Sequence, residues 1–230
     1  MAAVLFFSFG RTSAAVLQAQ ETESTPAPDS GVFLILSDNH RVGTEKFQIK
    51  RSASGWDATG ELQLEGPKNT KVSESATFHL DAALRPAKYE RVQNTPVAGN
   101  LAVVFAPEQT QLAAIVDGGD PQQEEFVLSL DNLAVLDTNF FHHYALLLRL
   151  YDRARGGAQP FNVFIPQEAL PGTISLKYIA KESVPVGQTT KELDHFQAVT
   201  EEVQIEIWAT PEGALQRLSI PAAKLEVVRQ

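Results

Sequence analysis

The feature that most constrains this chain is a period-two alternation of apolar and polar residues that recurs along most of its length. Phe47 and Ile49 alternate with Gln48 and Lys50, and Leu62 and Leu64 with Glu61, Gln63 and Glu65. Phe78, Leu80 and Ala82 alternate with Thr77, His79 and Asp81, and Ile174, Leu176 and Tyr178 with Ser175 and Lys177. Val203, Ile205 and Ile207 do the same with Gln204 and Glu206. Successive side chains of a strand point to opposite faces, so this pattern predicts antiparallel strands with one face packed and one wet. Leu101–Phe105 and Phe161–Ile165 read as more deeply buried strands. Turn chemistry separates the runs: Ser54-Gly55, Gly118-Gly119 before Pro121, and Gly156-Gly157. Thr210-Pro211-Glu212-Gly213 places Pro and Gly where a type I turn wants them, predicting a hairpin of 203–209 with 214–220. Roughly a dozen strands result, with no repeat of fixed period.

One segment breaks the alternation. Asp137-Thr138-Asn139 offers N-cap chemistry, and an apolar run with helical spacing follows. Phe140, Phe141, Tyr144, Leu147, Leu148 and Tyr151 share one face, with Leu146 and Leu150 beside it. A helix over about 138–153 is therefore apolar on more than one side, which predicts burial by neighbours on several sides. The fold expected is mainly β: a large curved antiparallel sheet, a half-barrel or open barrel, wrapped around one central helix.

The N-terminal 20 residues carry an apolar run at 2–9 and a small-residue site at Ser13-Ala14-Ala15, which reads as an export segment. Residues 21–30 read as a polar, proline-containing linker, and 31–230 as a single β-rich domain. The run is too short to span a bilayer, and no cysteine follows it to take a lipid anchor. The protein is expected in the periplasm or secreted. Its formal charge is −9, and loss of residues 1–20 would remove only Arg11, leaving about −10. An acidic chain is a poor partner for nucleic acid, whose phosphates select a basic surface. With no cysteine, disulfides, zinc–thiolate sites and thiol nucleophiles are excluded.

No motif carries chemistry. His142 and His143 are adjacent, so on a helix they project about 100° apart and do not chelate one ion together. His142 is expected on the polar side with Arg149 and Arg153, and both histidines read as structural. Asp194 and His195 face opposite ways on a strand. Glu124-Glu125 and Glu201-Glu202 read as solvated strand starts. An enzyme of unrecognised type would draw on His79, His143, His195 and Asp137, but no spacing favours one. No catalytic residue, metal ligand or cofactor is assigned. Trp208 lies on the polar face of its strand, which suits either a binding rim or a second packed layer.

The strands, the helix across a concave sheet and the hairpin Ile205-Glu206-Ile207-Trp208 … Gly213 … Leu215-Gln216-Arg217-Leu218 resemble exported bacterial half-barrel proteins, including the periplasmic lipoprotein carriers. The resemblance implies an open β cradle holding a lipid or acyl chain against the internal helix. The expected function is thus an exported, non-enzymatic binding or carrier protein for a hydrophobic small molecule. Phe140, Phe141, Tyr144, Leu147, Leu148 and Trp208 are its candidate ligand-binding residues. The alternative is an accessory domain partnering another cell-envelope protein or a secreted hydrolase, through an exposed apolar or edge-strand patch.

Overall fold

The computed structural model describes residues 27–66, 70–116, 119–186 and 188–230. The proposed export segment 1–20 and most of the linker lie outside the described residues. The described residues form fifteen strands: β1 Asp29–Ser37, β2 His40–Arg51, β3 Gly55–Glu65, β4 Lys71–Asp81, β5 Pro86–Thr95, β6 Gly99–Val104, β7 Thr110–Val116 and β8 Gln122–Phe126 form the first series. The second comprises β9 Leu133–Val135, β10 Ala158–Ile165, β11 Leu170–Val186, β12 Thr189–Val199, β13 Gln204–Ala209, β14 Leu215–Ile220 and β15 Leu225–Arg229. They make one sheet in the order β8-β7-β6-β5-β4-β3-β2-β1-β15-β14-β13-β12-β11-β10-β9. Each series is a meander, and the pairing of the first strand with the last joins them, with Phe33 opposite Arg229.

All pairs are antiparallel except β9 with β10, which run parallel. A parallel pair needs a crossover, and here it contains the one α-helix among the described residues, α1 His142–Leu150. The helix is shorter than the sequence predicts at both ends. Asp137 does not cap it: Phe141 occupies the cap position with no side-chain cap of its own. After Leu150 the chain turns, and Gly156 and Gly157 adopt φ of +60° and +66°, where glycine carries no steric cost.

The inner faces of the strands and the buried apolar residues of α1 form a single core that includes Phe33, Phe47, Trp56, Phe78, Phe140, Leu147, Phe164 and Phe196. Gly60 on β3 is part of the fit, since a Cβ there would lie 2.6 Å from Phe140 Cδ1 and 2.9 Å from His142 Cε1. The sheet also laps over itself. On β10, neighbours Val163 and Phe164 are both buried, and Phe164 meets Phe105 and Phe126 at ring separations of 6.1 and 5.1 Å. The β6–β8 wing therefore covers the outside of the β9–β10 edge, and all three residues of β9 are buried. Leu101–Phe105, which reads as more fully buried, alternates instead, because the outer face of the wing is wet and Val104 is exposed.

A bulge between Tyr178 and Ala180 shifts the register of β11 against β12. Beyond it, Val184, Val186 and Leu193 turn to the outer face and make a small second core with Trp208 and Val228.

Candidate functional site

The residues nominated from the apolar run, Phe140, Phe141, Tyr144, Leu147 and Leu148, are brought together, all buried around α1. Burial raises the Tyr144 hydroxyl to about 12. The space left beside the helix is a cavity of about 10 Å³, lined by residues such as Phe78, Leu133, Val135, His143, Leu146 and Leu147. That is room for about one water molecule. Trp208 is not with them. It lies on the outer face between the flat-stacked ring of His195, at 4.7 Å, and the Arg217 guanidinium, at 5.1 Å. Its Nε1–H donates to Glu182 at 3.0 Å. Glu182 and Glu206 face the two ring nitrogens of His195 at 2.9 and 2.6 Å. Of the two readings of Trp208, the second packed layer describes its position.

A buried polar network lies at the N-terminal end of α1. Glu45 projects inward from β2, because strand alternation puts it on the face of Phe47 and Ile49. Its Oε2 accepts the Phe141 N–H at 2.7 Å and its Oε1 the His142 N–H at 3.3 Å. The carboxyl thus supplies the helix cap from 97 residues away. Its Oε1 also lies 2.5 Å from His142 Nδ1. Complete burial raises the Glu45 carboxyl to about 8 and lowers His142 to about 3. Both directions favour the uncharged forms, a carboxylic acid donating to the Nδ1 of a neutral imidazole. The expectation that His142 shares a polar side with Arg149 and Arg153 is corrected: the helix is enclosed all round, and His142 stacks on Phe47.

His143 is also buried, with its centroid 4.6 Å from that of His142. Its Nδ1 accepts the Asp137 N–H at 3.2 Å, and burial, with the neighbouring His142, holds it well below its ordinary value. The Asp137 carboxyl accepts the Tyr89 hydroxyl and, at 2.8 Å, the Asn139 N–H. Burial raises Asp137 above the usual carboxylate range. Glu74 accepts two bonds from Arg91, at 2.9 and 2.7 Å, and one from Asn139 Nδ2 at 3.2 Å. These contacts fasten the connection from Leu136 to Phe141 to β2, β4 and β5. His79 and His195, the other histidines considered for chemistry, point outward, His79 paired with Asp57 at 2.8 Å. Among the described residues no group of three or more His, Asp or Glu side chains is placed to hold a metal ion. Sequence reasoning missed Glu45, Glu74 and Arg91; the available signal was a charge in phase with the apolar face of its own strand.

The exterior offers more room. An open trough of about 660 Å³ crosses the outer faces of β1–β4, lined by Ser30, Lys46, Gln48, Thr59, Glu61 and Thr77 among others. Further along the sheet, among the described residues, β8 is a terminal strand paired on its β7 side alone. No helix among the described residues is long and apolar enough to cross a membrane.

The sequence matches no family model, and no curated protein matches it. The fold is similar to the crystal structure of a β-barrel-like protein of the domain of unknown function DUF1849 from Brucella abortus. The TM-score is 0.60 at 8% identity, over 88% of this chain and 94% of that one. A DUF1089 family protein from Pseudomonas aeruginosa is similar at a TM-score of 0.45 and 9% identity, over 78% of this chain and 90% of that one. At 8% identity the first likeness establishes the barrel-like fold alone.

Proposed function

We propose that this is an exported, non-catalytic binding protein that meets its partner through the outside of the barrel. The observation that carries the reading is where the space lies. The interior holds the chain's own helix, and the cavity beside it is about 10 Å³, whereas pockets that enclose a small molecule are typically about 300–1,000 Å³. The lipid-carrier function implied by the half-barrel resemblance requires α1 to leave the cradle. That would expose Phe140, Leu146 and Leu147, each costing about 1.5–3 kcal/mol. The groups that resemble catalytic residues are spent on structure. Glu45, His142, Asp137 and His143 are closed from solvent and bind the 136–141 connection, so substrate has no route to them without unfolding it. The apolar segment at 2–9 supports export.

Native mass spectrometry of the protein expressed from its full chain tests this, before and after organic extraction. A bare polypeptide mass in both is expected. A lipid-sized adduct lost on extraction would overturn the reading and restore the carrier function.

A further inference from the structure

We infer that β8 is a docking edge that takes a basic, extended segment of a partner protein as a sixteenth strand; this rests on the outer-surface reading above. A terminal strand presents a row of unpaired backbone N–H and C=O groups on its free side, which is a template for strand addition. The opposite end of the sheet is not available in this way, because β9 is three residues long and buried on both faces by the overlap.

Charge selects the occupant. The edge reads Gln122-Gln123-Glu124-Glu125-Phe126, and all but Phe126 are exposed. Register with β7 places Glu124 beside Leu112, on the inner face, and Glu125 beside Gln111, on the outer face. A partner strand with basic residues at adjacent positions would thus find a carboxylate on each face of the sheet, and opposite charges across strands attract. A second copy fits badly. Antiparallel pairing of two β8 strands sets carboxylates against carboxylates, between chains that each carry −9.

A charged edge that served only to prevent aggregation would need no apolar surround. This one has it. Among the described residues, five of the eight exposed large hydrophobic ones lie between 92 and 127, including Val104, Ile115 and Val127 at 47, 52 and 86% exposure. Val104 and Ile115 stand on the outer face, opposite in phase to buried Val103 and Leu112, with the small residues Ala102 and Ala113 between them. This apolar area lies one and two strands in from the free edge, with Val127 following β8 itself.

The test uses a ten-residue peptide built on a Lys-Lys-Val-Val repeat, whose adjacent lysines reach both faces of the sheet, a counterpart methylated at every backbone nitrogen, and a version with Glu in place of Lys. The chain has no cysteine, so Gln123→Cys gives a unique fluorophore site on the edge and Thr59→Cys a matched site in the β1–β4 trough. Saturable binding of the Lys–Val peptide is expected at low salt, with a signal at position 123 and none at 59. Binding is expected to weaken at least about tenfold on backbone methylation, which removes the donors but not the charge. It should weaken several-fold in the Glu124→Gln/Glu125→Gln variant. Equal binding of the methylated or the Glu–Val peptide, or a signal confined to position 59, would overturn the inference. Failure of the peptide with a bare native mass rejects the edge alone; an extractable lipid rejects the outer-surface reading beneath it.

Discussion

The wall around α1 and the wing beyond it are built from the same alternating strands, yet they use their two faces differently. In β1–β5 the inner face is committed to the helix, down to a glycine at position 60 that makes room for Phe140 and His142. Even its charged residues are absorbed there, as Glu45 and Glu74 bind backbone and side chains of the 136–141 connection. In β6–β8 the inner face covers β10, while the outer face and the last edge are left with apolar and unpaired groups. The difference teaches that in this fold a buried carboxylate or histidine marks attachment of the helix, while exposed apolar side chains gather on the wing.

The contrast is broken most directly by cutting side chains on each side of it. Phe140→Ala should cost about 3–5 kcal/mol in urea denaturation, because it empties a fully enclosed site. Gly60→Ala should cost about 1–3 kcal/mol through overpacking against Phe140. On the outer face, Trp208→Phe should cost about 1 kcal/mol, from loss of its hydrogen bond to Glu182. Val104→Ser and Ile115→Ser should stay within about 0.5 kcal/mol of the parent. Wing substitutions as costly as Phe140→Ala would mean the wing is core, not surface.

The network at the helix end makes a pH prediction with opposing signs. Glu45 is raised from 4.5 to about 8, so the folded state holds its proton where the unfolded chain has released it. Its contribution is complete below pH 4.5 and is lost as pH rises to about 8. His142 is lowered from 6.5 to about 3, so its contribution is present above pH 6.5 and is lost as pH falls towards 3. His143 adds to the acid limb in the same sense. Stability should therefore peak near pH 6.5, and Glu45→Gln should flatten the alkaline limb up to pH 8 and steepen the rise between pH 4.5 and 6.5. Denaturation midpoints measured from pH 4 to 9 would check this, and an unchanged alkaline limb in Glu45→Gln would remove Glu45 as its source.

Much of this architecture is legible in the residues, because alternation is local. The strands, the 204–209 and 215–220 hairpin, and the enclosure of an all-round apolar helix follow from spacing alone. Closure of β1 on β15 does not, because nothing within either strand names a partner some 200 residues away. The helix start was misplaced for a related reason. Asp137-Thr138-Asn139 has cap chemistry, but Asp137 turns to Tyr89 and the Asn139 N–H, and the cap comes from Glu45 on a distant strand. Trp208 was ambiguous because the bulge after Tyr178, which folds β11 over it, has no marker in the sequence.

Amide hydrogen exchange of α1, in the presence and absence of a soluble fatty acid, tests the central claim most directly. If the interior belongs to the helix, the amides of Ala145–Leu150 should exchange only through global unfolding, as slowly as those of β3 and β4, and the fatty acid should change nothing. Exchange faster than that of the surrounding strands, or accelerated by the fatty acid, would show a helix that yields its place to a ligand and would contradict the account.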